Sequence, residues 1–192
     1  MNCLPHLTNF ICACPHLHLS FYKQNSIIYR DVKPDNIGFD VRGEVKVFDM
    51  GLAKELQDSE RNKDGTYNLT GFTGSIRYMA PEVAKSQPYN LSADVYSYGM
   101  LLWHVFANEP PFITYSCKMH DELVVHKGYR PSVDPKWPVT FGDLMKGCWS
   151  NNPSKRPDFS YITELLAEET LKLDPDEVCC LDLDISRRSI GN

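Results

Sequence analysis

The chain has 192 residues, of which 42% are hydrophobic and 23% are charged, and its formal net charge at pH 7 is -5. This length is enough for one domain whose core buries roughly 70% of the unfolded surface, and it is short for two. The charge balance argues against nucleic-acid binding, which needs clustered excess lysine and arginine, and no stretch reaches the ~18 apolar residues of a membrane span. The seven cysteines follow no regular framework, which indicates reduced thiols in a cytoplasmic, intracellular protein.

The first 25 residues differ from the rest of the chain. Charged residues are nearly absent from them, and two prolines interrupt any long helix. We therefore expect residues 1–25 to form an atypical segment that is poorly structured or the remnant of a helix.

Short strands are predicted next. A brief apolar strand ends at Ile28, and apolar residues then alternate at Ile37 and Phe39 and again at Val45 and Val47. The sequence VRGE between the two alternating pairs has the composition of a turn, so the pattern predicts a small β hairpin.

The second half of the chain is predicted to be mostly helical. From Leu52 to Tyr78 the sequence is polar, rich in glycine and threonine and without a sustained period, which indicates a long loop that has a function. The stretch LSADVYSYGMLLWHVF then starts with Ser92 as a helix cap and is apolar nearly all round, as in a buried central helix. Further helices are predicted at Met119 to Lys127, Phe141 to Trp149 and Asp158 to Glu169, before an acidic, solvated tail at residues 171–192. The predicted fold class is α+β, mostly α.

Polar side chains are dense in the stretch IIYRDVKPDNIGFD, between the predicted strands. It holds Asp31, Lys33 and Asn36, and the hairpin would bring Asp49 back beside Asn36. Hard oxygen ligands are those that Mg²⁺ prefers and shares with phosphates, so these residues would suit an anionic, metal-bound substrate. Taken alone, the stretch could equally be an ordinary polar turn.

Several motifs in order resemble one family. The sequence YRDVKPDN is similar to the catalytic loop of eukaryotic protein kinases, DMG to their D-F-G triplet, and APE to the end of their activation loop. Because the matches lie in register from Arg30 to Arg156, the chain is identified as similar to the C-terminal lobe of this family. The resemblance implies a kinase-like C-terminal lobe over residues 26–170, with the small hairpin at its active site.

The resemblance also implies a reaction and its cofactors, ATP and Mg²⁺. Asp31 would accept the proton of the substrate hydroxyl, and Lys33 would steady the phosphoryl group in transfer. Asn36 and Asp49 would bind the Mg²⁺ ions that bridge the nucleotide phosphates. Protein substrates with serine or threonine acceptors are the implied partners.

A phosphate on the activation loop is a further implication. Arg30, beside the implied base, would hold that phosphate, because a guanidinium matches its geometry. The candidate acceptors in the loop are Thr66, Thr70, Thr73 and Tyr67.

Other matches imply substrate class and structural roles. Lys33 together with TGSIRYMAPE resembles serine/threonine kinases, in which the residue at Ser75 bonds both the catalytic aspartate and the lysine. Phrases around Trp149 and Ala80 resemble the tyrosine-kinase-like branch. A buried ion pair of Glu82 with Arg156, and an Asp94 that hydrogen-bonds the catalytic-loop backbone, are implied as scaffold.

Two motif positions depart from the family pattern, and one region lacks it. Tyr29 stands in place of the usual histidine, and Met50 replaces phenylalanine and is expected to be an apolar plug. The residues before Ile27 carry no glycine-rich loop, no ATP-binding lysine and no partner glutamate, so the N-terminal lobe is expected to be missing.

Two interpretations of the function remain. The first is a partial catalytic domain of a serine/threonine kinase, whose activity alone would be limited by the absent ATP-binding residues. The second is a non-catalytic kinase-like binding module or a truncated gene product without activity.

Overall fold

The computed structural model describes residues 26–41 and 45–172. The predicted atypical segment at residues 1–25, the hairpin turn at Gly43 and the acidic tail from residue 173 onward lie outside the described residues. The described part is mostly helical and contains two small antiparallel sheets, each of two strands. This architecture agrees with the predicted α+β, mostly α fold.

The strands hold both ends of the polar stretch. Strand β1, Ile27–Ile28, pairs with β4, Lys54–Glu55, and strand β2, Ile37–Phe39, pairs with β3, Val45–Val47. The register of the second pair places Ile37 opposite Val47, which confirms the predicted hairpin. Strand β4 was not predicted, because two polar residues carry no strand signal until β1 lies beside them.

The helices lie close to their predicted positions. In the described part of the chain the α-helices are α1, Pro81–Ala84; α2, Ser92–Ala107; α3, Cys117–Met119; α4, Val139–Cys148; and α5, Phe159–Thr170. Helix α3 continues as a π-helix, His120–His126, and single 3-10 turns occur at Pro34–Asn36, Asp58–Glu60 and Pro153–Lys155. None of these helices is long and apolar enough to cross a membrane.

Helix α2 is the centre of the core. Every residue from Ala93 to Trp103 is buried, as the apolar sequence predicted. At Gly99 the helix approaches α4 so closely that a Cβ would lie 2.6 Å from the Cβ of Cys148, which only glycine avoids.

The predicted cap of α2 was wrong. Ser92 is the first residue of the helix, and its backbone N–H donates to the Asn90 side-chain oxygen at 3.0 Å. The Asn90 side chain therefore satisfies one of the free N–H groups at the start of the helix, because asparagine side chains readily bond to the backbone two residues on.

Two tryptophans and α5 complete the packing. Trp103 and Trp149 are both buried, as expected for core residues, and the Trp103 indole donates to the Ser132 carbonyl oxygen at 2.9 Å. Helix α5 turns Phe159, Ile162 and Leu166 inward. Residues from α5 and from the end of α4 thus complete the core around α2.

A buried ion pair connects the end of the long loop to the last third of the chain. The Arg156 guanidinium binds the Glu82 carboxylate through two contacts of 2.6 and 2.9 Å, and the arginine side chain is fully buried. Arg156 also donates to the carbonyl oxygens of Ser92 and Ser150. Its donors are therefore matched by acceptors from three separate parts of the chain.

Replacing Arg156 tests how much this pair contributes. We expect Arg156→Leu to lower the free energy of unfolding by about 3–5 kcal/mol, because the Glu82 carboxylate would stay buried without its counter-charge. Urea denaturation gives this value, and Lys146→Leu, which removes an exposed ion pair with Asp143, should leave it nearly unchanged.

The double variant Glu82→Leu/Arg156→Met separates charge from packing. It leaves no charge stranded in the core, so it should recover part of the lost stability. An Arg156→Leu variant as stable as the wild type would show that the ion pair does not hold the fold together.

Candidate active site

The polar stretch forms a loop whose two ends are fixed by the sheets. Residues 29–36, named the 29–36 loop from here on, follow β1 and end in the 3-10 turn Pro34–Asn36 that leads into β2. The Phe48 N–H donates to the Asn36 carbonyl oxygen at 2.8 Å and so extends the hairpin pairing to the end of the loop.

The start of the 29–36 loop is held by Asp94, near the beginning of α2. The two carboxylate oxygens of Asp94 accept the backbone N–H groups of Tyr29 and Arg30 at 2.7 and 2.8 Å. Arg30 has a φ of 70°, in the left-handed region that disfavours side chains other than glycine. The bonds to Asp94 stabilise a backbone turn that the sequence alone would not favour.

Burial of Asp94 has an electrostatic consequence. Burial raises the pKa of the Asp94 carboxyl to about 6, and hydrogen bonds from Tyr29 and Arg30 and the Arg30 charge oppose this rise. The carboxyl is therefore ionised at neutral pH, when both of its oxygens can accept.

Three polar side chains meet at Asp31. Its Oδ2 lies 2.8 Å from the Asn36 amide nitrogen and 2.7 Å from the Lys33 ammonium, while its Oδ1 accepts from the Ser75 hydroxyl and backbone N–H. The Lys33 ammonium also donates to the Ser75 hydroxyl at 3.0 Å. The structure thus joins Asp31, Lys33, Asn36 and Ser75 in one network, although Ser75 lies 44 residues along the chain.

This network keeps Asp31 charged. Burial is the largest single influence and raises the pKa, but the hydrogen bonds from Lys33, Ser75 and Asn36 together outweigh it, so the Asp31 pKa lies below its ordinary value. The carboxylate is ionised at neutral pH and held in one orientation. A carboxylate in this state can accept a hydrogen bond from a hydroxyl group and orient it.

Gly74 allows the long loop, residues 52–78, to reach the 29–36 loop. Its φ is +94°, and a Cβ there would lie 2.3 Å from the Arg30 carbonyl oxygen. Any other residue would push Ser75 away from Asp31. Sequence analysis missed this residue, and its only signal was a glycine directly before Ser75.

Asp49 follows the hairpin and has solvent around it. It is exposed and has a φ of 55°, and its carboxylate accepts the Gly51 N–H at 3.0 Å. Pairing of Phe48 with Asn36 places the Asp49 backbone next to the end of the 29–36 loop, as the hairpin predicted.

The oxygen atoms of Asn36 and Asp49 suit a Mg²⁺ ion that also binds phosphates and water. Within residues 26–41 and 45–172, no three histidine, cysteine, aspartate or glutamate side chains are grouped to hold a metal ion. The Asn36 amide nitrogen is used by Asp31, which leaves its oxygen for a ligand, and Asp49 supplies carboxylate oxygens. One or two protein oxygens are what Mg²⁺ takes when phosphates and water complete its shell.

The candidate acceptors in the long loop differ in accessibility. Tyr67 is buried, and the Thr66 hydroxyl donates to Asp64 at 2.7 Å. Thr70 is exposed, whereas Thr73 is half-buried and donates to the Thr70 carbonyl oxygen at 2.9 Å. Of the four candidates, Thr70 is therefore the one that solvent reaches freely.

Arg30 lies beside Thr73. The Arg30 Nε donates to the Leu52 carbonyl oxygen at 2.6 Å, and Arg30 and Thr73 line the same small cavity next to Asp94. The arginine therefore already bridges the 29–36 loop and the start of the long loop.

The two departures from the family pattern lie in different environments. Tyr29 is buried, and its hydroxyl donates to the Phe48 carbonyl oxygen, so it packs as a structural residue. The expectation that Met50 is an apolar plug was wrong, because its side chain is 48% exposed.

Comparison with known proteins places these features in a family context. The model of the protein kinase domain matches residues 6–169. Serine/threonine-protein kinase STY17 of Arabidopsis thaliana is 35% identical over 159 residues, which are 83% of this chain and 27% of STY17. Dual specificity protein kinase shkB of Dictyostelium discoideum is 34% identical over 160 residues, which are 82% of this chain and 24% of shkB. The chain spans about a quarter of the length of these curated relatives.

Substitution of Asp94 tests its hold on the 29–36 loop. In Asp94→Asn only one oxygen remains for two backbone N–H groups, and we expect the free energy of unfolding to fall by about 1–3 kcal/mol at pH 7. The pH dependence of the free energy of unfolding should change as well. Since the native pKa of about 6 exceeds the ordinary 3.8, the native state binds more protons, and the Asp94 contribution to stability decreases as pH rises from about 4 to about 6.

Urea denaturation between pH 4.5 and pH 7.5 measures both effects. Asp94→Asn should lack the part of the pH slope that Asp94 causes, whereas Asp143→Asn, at an exposed position, should keep the wild-type slope. Identical slopes in the wild type and Asp94→Asn would rule out the raised pKa.

Proposed function

This chain belongs to the eukaryotic protein kinase family, and from that premise we propose that residues 26–170 form the C-terminal lobe of a protein serine/threonine kinase. The observation that carries the proposal is the network in which Lys33, Asn36 and Ser75 hold the ionised Asp31. The reaction is transfer of the terminal phosphoryl group of ATP to a serine or threonine hydroxyl of a protein.

Asp31 is the proposed proton acceptor. Its carboxylate is fixed from both sides, by Ser75 at Oδ1 and by Asn36 at Oδ2, so it can orient an acceptor hydroxyl for in-line attack. As the oxygen of that hydroxyl bonds to the terminal phosphorus of ATP, the bond from this phosphorus to its bridging oxygen would break, ADP would leave, and the hydroxyl proton would pass to Asp31. Lys33, 2.7 Å from Asp31, places a positive charge that can pair with the oxygens of the phosphoryl group in transfer.

Asn36 and Asp49 are the proposed Mg²⁺ ligands. When bound, Mg²⁺ neutralises charge on the phosphates of ATP. The protein's own contribution is to fix the Asn36 side chain through its two hydrogen bonds to Asp31. This links the position of the metal ligand to that of the proton acceptor.

Arg30 is the proposed binding residue for a phosphate on the long loop. Thr70 is exposed enough to be modified, and Thr73 lines the same small cavity as Arg30. A phosphate on either threonine would add charge that the arginine can pair with, and it would strengthen the contact between the long loop and the 29–36 loop.

Serine and threonine are the proposed acceptors because of Lys33 and Ser75. Their contact with each other and with Asp31 agrees with the serine/threonine pattern of the sequence. One relative, shkB, is described as a dual specificity kinase, so tyrosine is the alternative acceptor to test.

Asp31→Asn tests the proposed reaction. The variant keeps the size of the side chain and loses the proton acceptor, so we expect transfer to a serine peptide to fall at least ~100-fold. The measurement is transfer of labelled phosphate from Mg-ATP by the full chain to peptides that differ only in a serine, threonine or tyrosine acceptor. Asp143→Asn should keep the wild-type rate.

The outcome separates two failures. Activity that survives Asp31→Asn would refute the assigned base. A wild-type chain that neither binds Mg-ATP nor transfers phosphate would refute the catalytic proposal for this chain and favour the second candidate.

The second candidate is a kinase-like binding module, and an exposed apolar hairpin favours it. Phe39 and Phe48 are about half exposed, at 51% and 50%, and the hairpin register places them on opposite faces. The Phe48 ring lies over Gly38, within 2.7 Å of where a Cβ would be. Aromatic side chains such as these are enriched at the centres of protein–protein interfaces.

Phe48→Ser distinguishes a binding module from an enzyme. For a module, we expect the full chain to bind dephosphorylated casein, a general kinase substrate, without Mg-ATP, and Phe48→Ser to weaken this binding at least ~10-fold. Val139→Ser, at another exposed apolar residue, is the matched control in surface plasmon resonance. Equal binding by all three proteins would count against the hairpin as a docking element.

A further inference from the structure

A hydrogen bond connects the end of the long loop to the central helix, outside the residues assigned to the reaction. The Tyr78 hydroxyl lies 2.7 Å from Nδ1 of His104, in the last part of α2. The two rings are stacked, with an angle of 16° between their planes and 6.3 Å between their centres. Tyr78 lies in the stretch TGSIRYMAPE and His104 in the predicted central helix, but sequence analysis gave neither side chain a role.

Tyr78 is held at three of its polar groups. Its backbone N–H donates to the Ser75 carbonyl oxygen at 2.9 Å, and its carbonyl oxygen accepts from the Ser97 hydroxyl at 2.7 Å. The third bond joins its hydroxyl and Nδ1 of His104. Ser75 in turn holds Asp31, so a continuous series of hydrogen bonds leads from α2 to the proposed proton acceptor.

We propose that His104 is a positioning residue: its neutral imidazole accepts the Tyr78 hydroxyl, fixes the Ser75–Tyr78 turn, and makes the placement of that turn dependent on pH. The turn lies beside Asp31, so it is also where a bound acceptor peptide would pass. The consequence for peptide binding rests on the proposed kinase function, whereas the ordering of the turn does not.

The charges around the pair favour this protonation pattern at neutral pH. Burial lowers the pKa of His104, and the negative charge of Asp35, in the 29–36 loop, opposes this change only in part. Burial raises the pKa of Tyr78 to about 12, Asp35 adds to the rise, and Arg77 opposes it. At pH 7 the tyrosine therefore keeps its proton to donate, and the imidazole keeps a lone pair to accept it.

We expect a fall in pH to weaken the hydrogen bond between Tyr78 and His104. The native pKa of His104 is lower than its ordinary 6.5, so the ordered state binds fewer protons than the open state, and ordering is lost as pH falls below about 6.5. A protonated Nδ1 has no lone pair for the Tyr78 hydroxyl, and a bond in the reverse direction would require an imidazolium charge that burial disfavours at this position.

Hydrogen exchange on the full chain tests the inference without any activity. The readout is the protection of the Tyr78 amide, corrected for the intrinsic pH dependence of exchange. We expect protection in the wild type to fall about fivefold between pH 7.5 and pH 5.5, the effect of one net hydrogen bond.

Three variants identify the bond responsible. His104→Asn places an oxygen acceptor near the position of Nδ1 and does not titrate, so protection should stay near the wild-type value at pH 7.5 and not change with pH. His104→Leu and Tyr78→Phe should both show low protection at either pH. His126→Asn, at an exposed histidine, should behave as the wild type.

Peptide kinetics provide the second readout. If the chain transfers phosphate, acid should raise KM for a serine peptide in the wild type more than in His104→Asn, with a smaller change in kcat. The inference would be overturned if protection in His104→Asn changed with pH as it does in the wild type. It would also be overturned if His104→Leu were protected as strongly as the wild type. Loss of transfer in every protein, with the exchange pattern intact, would refute the proposed function and leave the positioning role standing.

Discussion

The arrangement of the site depends on one buried carboxylate. Asp94 lies in the first turn of the central helix, in which every residue from Ala93 to Trp103 is buried, and its two oxygens hold the backbone at Tyr29 and Arg30. The 29–36 loop therefore takes its position from the core rather than from its own sequence. Because Asp31 comes directly after these two residues, its distance from α2 is set by the same contact. A loop attached only through exposed side chains would not hold the proposed proton acceptor this firmly.

The second constraint concerns three buried carboxylates, each of which has hydrogen-bond donors beside it. Asp31, Glu82 and Asp94 are all nearly buried, and each is met by donors from a distant part of the chain. Such contacts add little net stability compared with apolar packing, but each is costly to break on one side only. They therefore favour one relative placement of the loops over all others. In the proposed reaction, which requires a hydroxyl aligned with a phosphate, this selectivity matters more than the gain in stability.

Sequence predicted those features that depend on short spacing or on periodicity. The hairpin and the buried helix α2 follow from alternating and continuous apolar residues, and Asp31, Lys33 and Asn36 meet because only a few residues separate them. Contacts across long stretches came from family resemblance, as for Ser75, or were missed. Strand β4 exists only because β1 lies beside it, and the contact between Tyr78 and His104 joins two residues that no motif connects. The exposure of Met50 also depends on what surrounds it, which a residue's size does not reveal.

The left-handed backbone at Arg30 and Asp49 has a consequence for protein engineering. At both positions, a glycine would remove the steric cost that a side chain has at positive φ, of order 1 kcal/mol each. A design method that scored stability alone would therefore choose glycine twice, at the two ends of the same site, and would delete a guanidinium and a carboxylate. Thermostable versions of this chain should be sought elsewhere on its surface, with both residues kept fixed during design.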